Sequence, residues 1–323
     1  MKLRTSTLLA CATAVALAPS AASAQQPAPY SAIIVFGTSL SDSGNAFALR
    51  GGTNTPADYA LDPLLVPSAP YARGGLHFSN GATWVEQLAR GLGLAGSVRP
   101  AFASSSPTAT NYAVGAARAY DDGRNVNLSS QVQAFLSDHR GQAPADALYV
   151  IEMGGNDIRD AIVAFQTGGA PAAQVVLQKA IASIAGNIQL LYQAGARQFL
   201  VWLPPNLGLT PAIQMLNQFS PGAAQLATGL TGAFNAGLSG VLTQLSALPD
   251  VRFTPFDAYA LLNGIVASPA SYGLIDAREA CIVPAAEPFS CQAADEYLFW
   301  DGIHPTRAGH EIVAGAVAAL LAR

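Results

Sequence analysis

Cysteine, histidine and charge are all scarce in this sequence. Three cysteines and four histidines occur in 323 residues, and Asp, Glu, Lys and Arg together make up 11% of the chain. So few thiols exclude the multiply cross-linked scaffolds of small secreted domains, and no second pair of ligands stands near them at zinc spacing. The 16 basic residues are scattered among 20 acidic ones, for a formal net charge of −4. No phosphate-tracking surface is expected from that balance, and nucleic acid is set aside as a partner. Long apolar runs are lacking as well: beyond the amino terminus no segment reads as able to cross a bilayer, which takes roughly 20 apolar residues. What remains is a chain large enough to bury a full core, with a small-molecule or polymer-borne substrate as its expected partner.

The amino terminus has a pattern of its own. Lys2 and Arg4 precede an apolar run from Leu8 to Leu17, followed by Pro19 and the small residues Ala22, Ser23 and Ala24. Charge, apolar stretch and A-x-A site in that order predict a secretory signal peptide over residues 1–24, cleaved after Ala24, with residues 25–323 as a single domain. The expected location is therefore periplasmic or extracellular. Cys11 leaves with the signal. Cys281 and Cys291 remain, and in an oxidising compartment a disulfide between them is the economical reading, two buried thiols or a metal pair being the alternatives.

Three apolar runs read as strands buried on both faces: Ala32 to Phe36, Ala147 to Met153 and Phe199 to Leu203, with Val251 to Phe256 a weaker fourth. Between them lie stripes at helical spacing. Leu177, Ile181, Ile184, Ile188 and Leu191 form one, stopped by Gly195; Leu226 to Leu245 and Ile312 to Leu321 carry two more. Alternating strands and helices predict an α/β fold, a mainly parallel sheet covered on both faces. Ligands of such sheets bind beyond the carboxyl ends of the strands. That rule directs attention to the residues after Gly37, Gly154 and Pro204.

Ser39 follows the first strand, in Phe36-Gly37-Thr38-Ser39-Leu40-Ser41-Asp42. A serine on a strand-to-helix turn can present its hydroxyl as a nucleophile, although turn and cap residues are also of this type. It needs a base. Of the four histidines, His139 sits in a polar segment at a helix end, His310 falls inside the last helix, and His77, in a Gly-flanked loop, is a candidate substrate contact. His304 stands just before the last helix with Asp301 three residues earlier, a spacing that lets the carboxylate fix the tautomer; an N-cap and a surface histidine would look the same. Asn156, in Gly154-Gly155-Asn156-Asp157, offers an amide to a developing oxyanion or simply caps a helix, and Asp157 reads as a structural hydrogen-bonding partner.

In this order the pieces resemble the SGNH or GDSL hydrolase family. Its first block is similar to Gly37-Thr38-Ser39-Leu40-Ser41-Asp42-Ser43-Gly44-Asn45, its second to Asn111-Tyr112-Ala113-Val114-Gly115-Ala116-Ala117, its third to Gly154-Gly155-Asn156-Asp157 and its last to Asp301-Gly302-Ile303-His304-Pro305. The segment Arg73 to Leu88 also looks like the secreted bacterial branch. The resemblance implies a three-layer α/β/α sandwich, flavodoxin-like, in a serine ester hydrolase of the GDSL esterase/lipase type. It implies a catalytic triad of Ser39, His304 and Asp301, with an oxyanion hole formed by the amides of Ser39 and Gly115 and the side chain of Asn156. It implies no metal and no organic cofactor. Acyl transfer by the same triad, and sugar binding without turnover, are the alternative readings. The family also includes passengers of outer-membrane barrels; with the chain ending after its last helical stripe, a released or periplasmic protein is expected. Two positions depart from the pattern: Thr38 stands where Asp is usual, and Ala116 where a second Gly is common.

Overall fold

The computed structural model describes residues 29–323 except 57, 60, 73, 74 and 285; the expected signal peptide and its cleavage site lie outside the described residues. In chain order the elements are β1 (Ile33–Gly37), α1 (Asn45–Leu49), α2 (Trp84–Gly91), α3 (Leu128–Asp138), β2 (Leu148–Glu152), α4 (Gly155–Ala194), β3 (Gln198–Leu203), α5 (Pro211–Phe219), α6 (Ala223–Leu245), β4 (Arg252–Asp257), α7 (Ala258–Ala267), β5 (Asp276–Ala280), β6 (Tyr297–Phe299) and α8 (Arg307–Leu321). Strands β1 to β4 form one parallel sheet in that order.

Alternation along the strands makes the three layers. Ile34, Phe36, Tyr149, Ile151, Phe199 and Val201 point to one face, where they pack with Phe135 of α3, Ile184 and Ile188 of α4 and Phe234 of α6. Their chain neighbours Ile33, Val35, Leu148, Val150, Leu200 and Trp202 point to the other, against Trp84 of α2 and Val317 of α8. Every residue of β1 and β2 is buried. Two covered faces are what turn these strands into unbroken apolar runs. Strand β4 lies at the sheet edge and is mostly exposed or half-buried, which is why its pattern in the sequence is weak. The α/β/α sandwich expected from the sequence is therefore the observed fold.

The stripe ending at Gly195 belongs to a longer helix than its spacing suggests. Helix α4 begins directly behind β2 and bends near Pro171, where Gly169 leaves helical geometry with φ of +66°. By length and composition it is apolar enough to cross a membrane, which corrects the expectation that no later segment is. One stripe of it, including Leu177, Ile184 and Leu191, is buried in the core. A disulfide joins Cys281 and Cys291 at the end of β5, and Cys281 packs with Tyr59, Tyr71 and Trp300 in a cluster of its own.

Candidate active site

The turn after β1 is gripped on all sides. Gln131 of α3 clamps the backbone of Gly37, its Oε1 accepting the N–H at 2.9 Å and its Nε2 donating to the carbonyl at 2.9 Å. A side chain at Gly37 would press on Glu152 Oε2, 3.0 Å away, and on Ser41 Cβ, 3.1 Å away. Glu152, at the end of β2, lies beneath the turn and accepts from the Thr38 N–H at 2.9 Å, the Thr38 hydroxyl at 3.0 Å and the Ser41 hydroxyl at 3.1 Å. The Trp84 indole N–H donates to Ser41 Oγ at 3.0 Å. Burial pushes the Glu152 carboxyl up to about 7, against the pull of those donors. Sequence reasoning passed over Glu152, although an acid closing an otherwise apolar strand was there to be noticed.

Asp301 and His304 form a compact hook between β6 and α8. Asp301 Oδ1 accepts the backbone N–H groups of Ile303 and His304 at 2.9 and 2.8 Å, and Oδ2 accepts from His304 Nδ1 at 2.7 Å. With the Nδ1 proton held by the carboxylate, Nε2 is left as the acceptor. It lies 2.8 Å from Ser39 Oγ. All three side chains are shielded: Ser39 is 8% exposed, His304 2% and Asp301 0%. The hook needs Gly302 because a Cβ there would sit 2.0 Å from the Leu64 carbonyl oxygen. A fourth member was not foreseen. The Tyr71 hydroxyl donates to Asp301 Oδ2 at 2.8 Å, and burial with that neighbouring carboxylate raises the phenol well above its usual range, so it stays a donor. No spacing rule links two residues 230 positions apart.

The expected oxyanion donors fare differently. Asn156, in the first turn of α4, shares a cavity with Ser39 and His304. Its Nδ2 donates to the Ala117 carbonyl at 2.9 Å, which orients the amide and leaves its second N–H. Gly115 already has a partner. Its N–H donates to Asp42 Oδ2 at 2.8 Å, on a buried carboxylate that also accepts from the amides of Gly44, Asn45 and Ala46. In this geometry the amide is engaged by the turn that follows β1. The absence of a side chain at Gly115 serves packing instead: a Cβ would stand 2.3 Å from the ring of Phe78, which lies over His304 with centroids 5.4 Å apart. Ala116, next in the chain, has φ of +70°.

The other candidates have structural surroundings. Asp157 accepts the backbone N–H groups of Ala119 and Tyr120 at 2.9 and 3.3 Å. His77 is buried 2.9 Å from Glu86, the residue that completes the capping box of α2, and it does not line the cavity at Ser39. His310 is enclosed in α8, where burial lowers it to about 3 and keeps it neutral. His139 is half-buried, its ring centroid 4.5 Å from that of Phe135.

The cavity beside Ser39 and His304 holds about 90 Å³. Its walls are apolar, among them Leu64, Val66, Met153, Trp202, Leu207 and Ile213, with Arg159 at one side. A hydroxyl, an imidazole and an amide donor thus converge on a space that favours apolar groups, as a site built for acyl chemistry would.

Comparison with known proteins agrees with that chemistry. Residues 33–317 match the GDSL-like Lipase/Acylhydrolase family. A GDSL esterase/lipase of Arabidopsis thaliana is 30% identical, over 88% of this chain and 87% of its own length. A second Arabidopsis protein of the same description is 27% identical, over 88% of this chain and 90% of its own. Esterase EstA of Pseudomonas aeruginosa is 30% identical over 94% of this chain, which spans about half, 48%, of that longer protein.

Proposed function

This chain belongs to the GDSL-like lipase/acylhydrolase family and is a hydrolase acting on ester bonds; from that premise we propose that it works through an acyl-enzyme on Ser39. The observation that carries the proposal is the unbroken chain of short hydrogen bonds from Asp301 through His304 to Ser39. Ser39 Oγ attacks the ester carbonyl as His304 Nε2 takes its proton. Asp301 holds the imidazole in the reactive tautomer and balances its positive charge. His304 then protonates the leaving alcohol, and water, activated by the same imidazole, releases the acid.

The oxyanion is held by the amide of Ser39 and by the second Nδ2 proton of Asn156. Because the Gly115 amide is engaged by Asp42, we assign the second backbone donor to Ala116. Its left-handed φ turns the chain between Gly115, packed under Phe78, and Ala117, whose carbonyl orients Asn156. Each such donor contributes roughly 2.7–4 kcal/mol to the transition state. An alanine at this φ is less comfortable than a glycine, so Ala116→Gly is tolerated by this geometry.

Residues 1–24 act, in this reading, as a secretory signal cut after Ala24. The disulfide at Cys281 suits the oxidising compartment it leads to.

Hydrolysis of p-nitrophenyl esters by the mature protein, beside Ser39→Ala, tests the mechanism. Activity is expected in the first and only background in the second; equal activity in both would remove Ser39 from the chemistry.

A further inference from the structure

Two apolar cavities lie side by side next to the reacting pair. Beyond the one already described is a second, of about 60 Å³, formed by Leu261, Leu262 and Ile265 of α7, Leu298 and Phe299 of β6 and Val313 of α8. Leu40, Trp202, Pro205, Thr210 and Ile303 border both, so one layer of side chains divides them. Leu40 and Ile303 are half-buried, and each adjoins a reacting residue in the chain. In another direction, Val66 and Arg159 are shared between the first cavity and a wide polar one of about 560 Å³. Thr53, Asn54, Thr55, Asp62 and Ser68 line that third space, supplying donors and acceptors together with one charge of each sign, a match for hydroxyl groups rather than for a net charge.

We propose that the second cavity is the subsite for the far end of the acyl chain, which runs from Ser39 through the first cavity and past Leu40 and Ile303 into it, while the alcohol leaves toward the wide polar space. This assignment rests on Ser39 being the nucleophile. An acyl group is attached through its carbonyl to Ser39 Oγ, so its chain starts beside Leu40, where the two apolar spaces adjoin. The leaving alcohol takes its proton from His304 and departs, and the wide polar cavity gives its hydroxyls partners on the way. Leu261 and Val313 then set the chain-length preference from two different helices. Each methylene moved out of water is worth about fourfold in kcat/KM until the second cavity is full.

The test compares p-nitrophenyl butyrate with p-nitrophenyl laurate for the wild type, Leu261→Trp and Val313→Phe. Both positions are half-buried, and larger side chains there fill the second cavity. The laurate-to-butyrate ratio of kcat/KM is expected to fall at least tenfold in both variants; an unaltered ratio in correctly folded variants overturns the proposal. Titration of Ser39→Ala with hexanoic and lauric acids, followed by calorimetry, keeps the question open to an answer if neither variant folds: lauric acid is expected to bind the more tightly, and a folded protein that binds neither overturns it. Hexadecyl acetate hydrolysed in preference to ethyl laurate would also overturn it, by placing the long chain on the alcohol side. Laurate hydrolysis that survives Ser39→Ala would instead remove the nucleophile assignment, whatever the binding data show.

Discussion

Asp301 Oδ2 takes two donors on one atom, His304 Nδ1 and the Tyr71 hydroxyl. The imidazole bond is the one the proposed mechanism needs, and the tyrosine, fully buried at 0% exposure, donates to the same oxygen. Tyr71→Phe leaves that oxygen one donor short in a dry setting, where such a loss costs about 1–3 kcal/mol. A fall of that size in unfolding free energy, measured by urea titration, is the expected outcome, together with a lower kcat. An unchanged denaturation midpoint would mean that Tyr71 contributes nothing to the hook. The triad candidates themselves were legible in the sequence, because Ser39, Asp301 and His304 sit in short segments whose residue types announce a turn. Their supports were not: Tyr71 and Glu152 act across the fold, and a glycine at position 115 tells nothing of where its N–H points.

At the scale of elements, the apolar runs of β1, β2 and β3 were readable because both faces of the sheet are covered, and the stripes of α4, α6 and α8 because one face of each is. Strands β5 and β6 carry no such signal. They are short, and β5 carries Asp276, Arg278 and Glu279 in five residues, so no apolar pattern marks it. The disulfide at its end compensates for that modest framework. Closing a loop of this length contributes about 2–3 kcal/mol by restricting the unfolded chain. Replacing both Cys281 and Cys291 by alanine is expected to lower stability by that amount. Thermal unfolding of the double variant beside the oxidised wild type checks it, and identical transitions would count against a stabilising role. Because Cys281 packs with Tyr71 and Trp300, activity should decline at a lower temperature as well.

The whole molecule carries an unusual acid–base balance in its interior. Glu152, raised from 4.5 to about 7, and Asp157, raised from 3.8 to about 6, both hold their protons more tightly in the fold than in the unfolded chain. Between the two values of each group the folded state binds more protons, so their contribution to stability is complete below the lower value and is lost as pH rises through the upper one. For Glu152 the loss amounts to about 3 kcal/mol between pH 4.5 and 7. Unfolding free energies of wild type and Glu152→Gln, measured from pH 5 to 8, should therefore diverge in favour of the variant as pH rises. Parallel curves would mean that Glu152 titrates as an ordinary carboxyl. The fold also spreads the chemistry unevenly along the chain. Asp301 and His304 share one hook, while the hydroxyl that His304 meets lies 265 positions earlier. Synthesis proceeds from the amino end, so under the proposed mechanism the serine is made well before its base and stays silent until residues 301–304 have folded against it. Hydrolytic power then reports on folding: a chain stopped or cut before this hook, however well its sheet has formed, has a nucleophile and nothing to wake it.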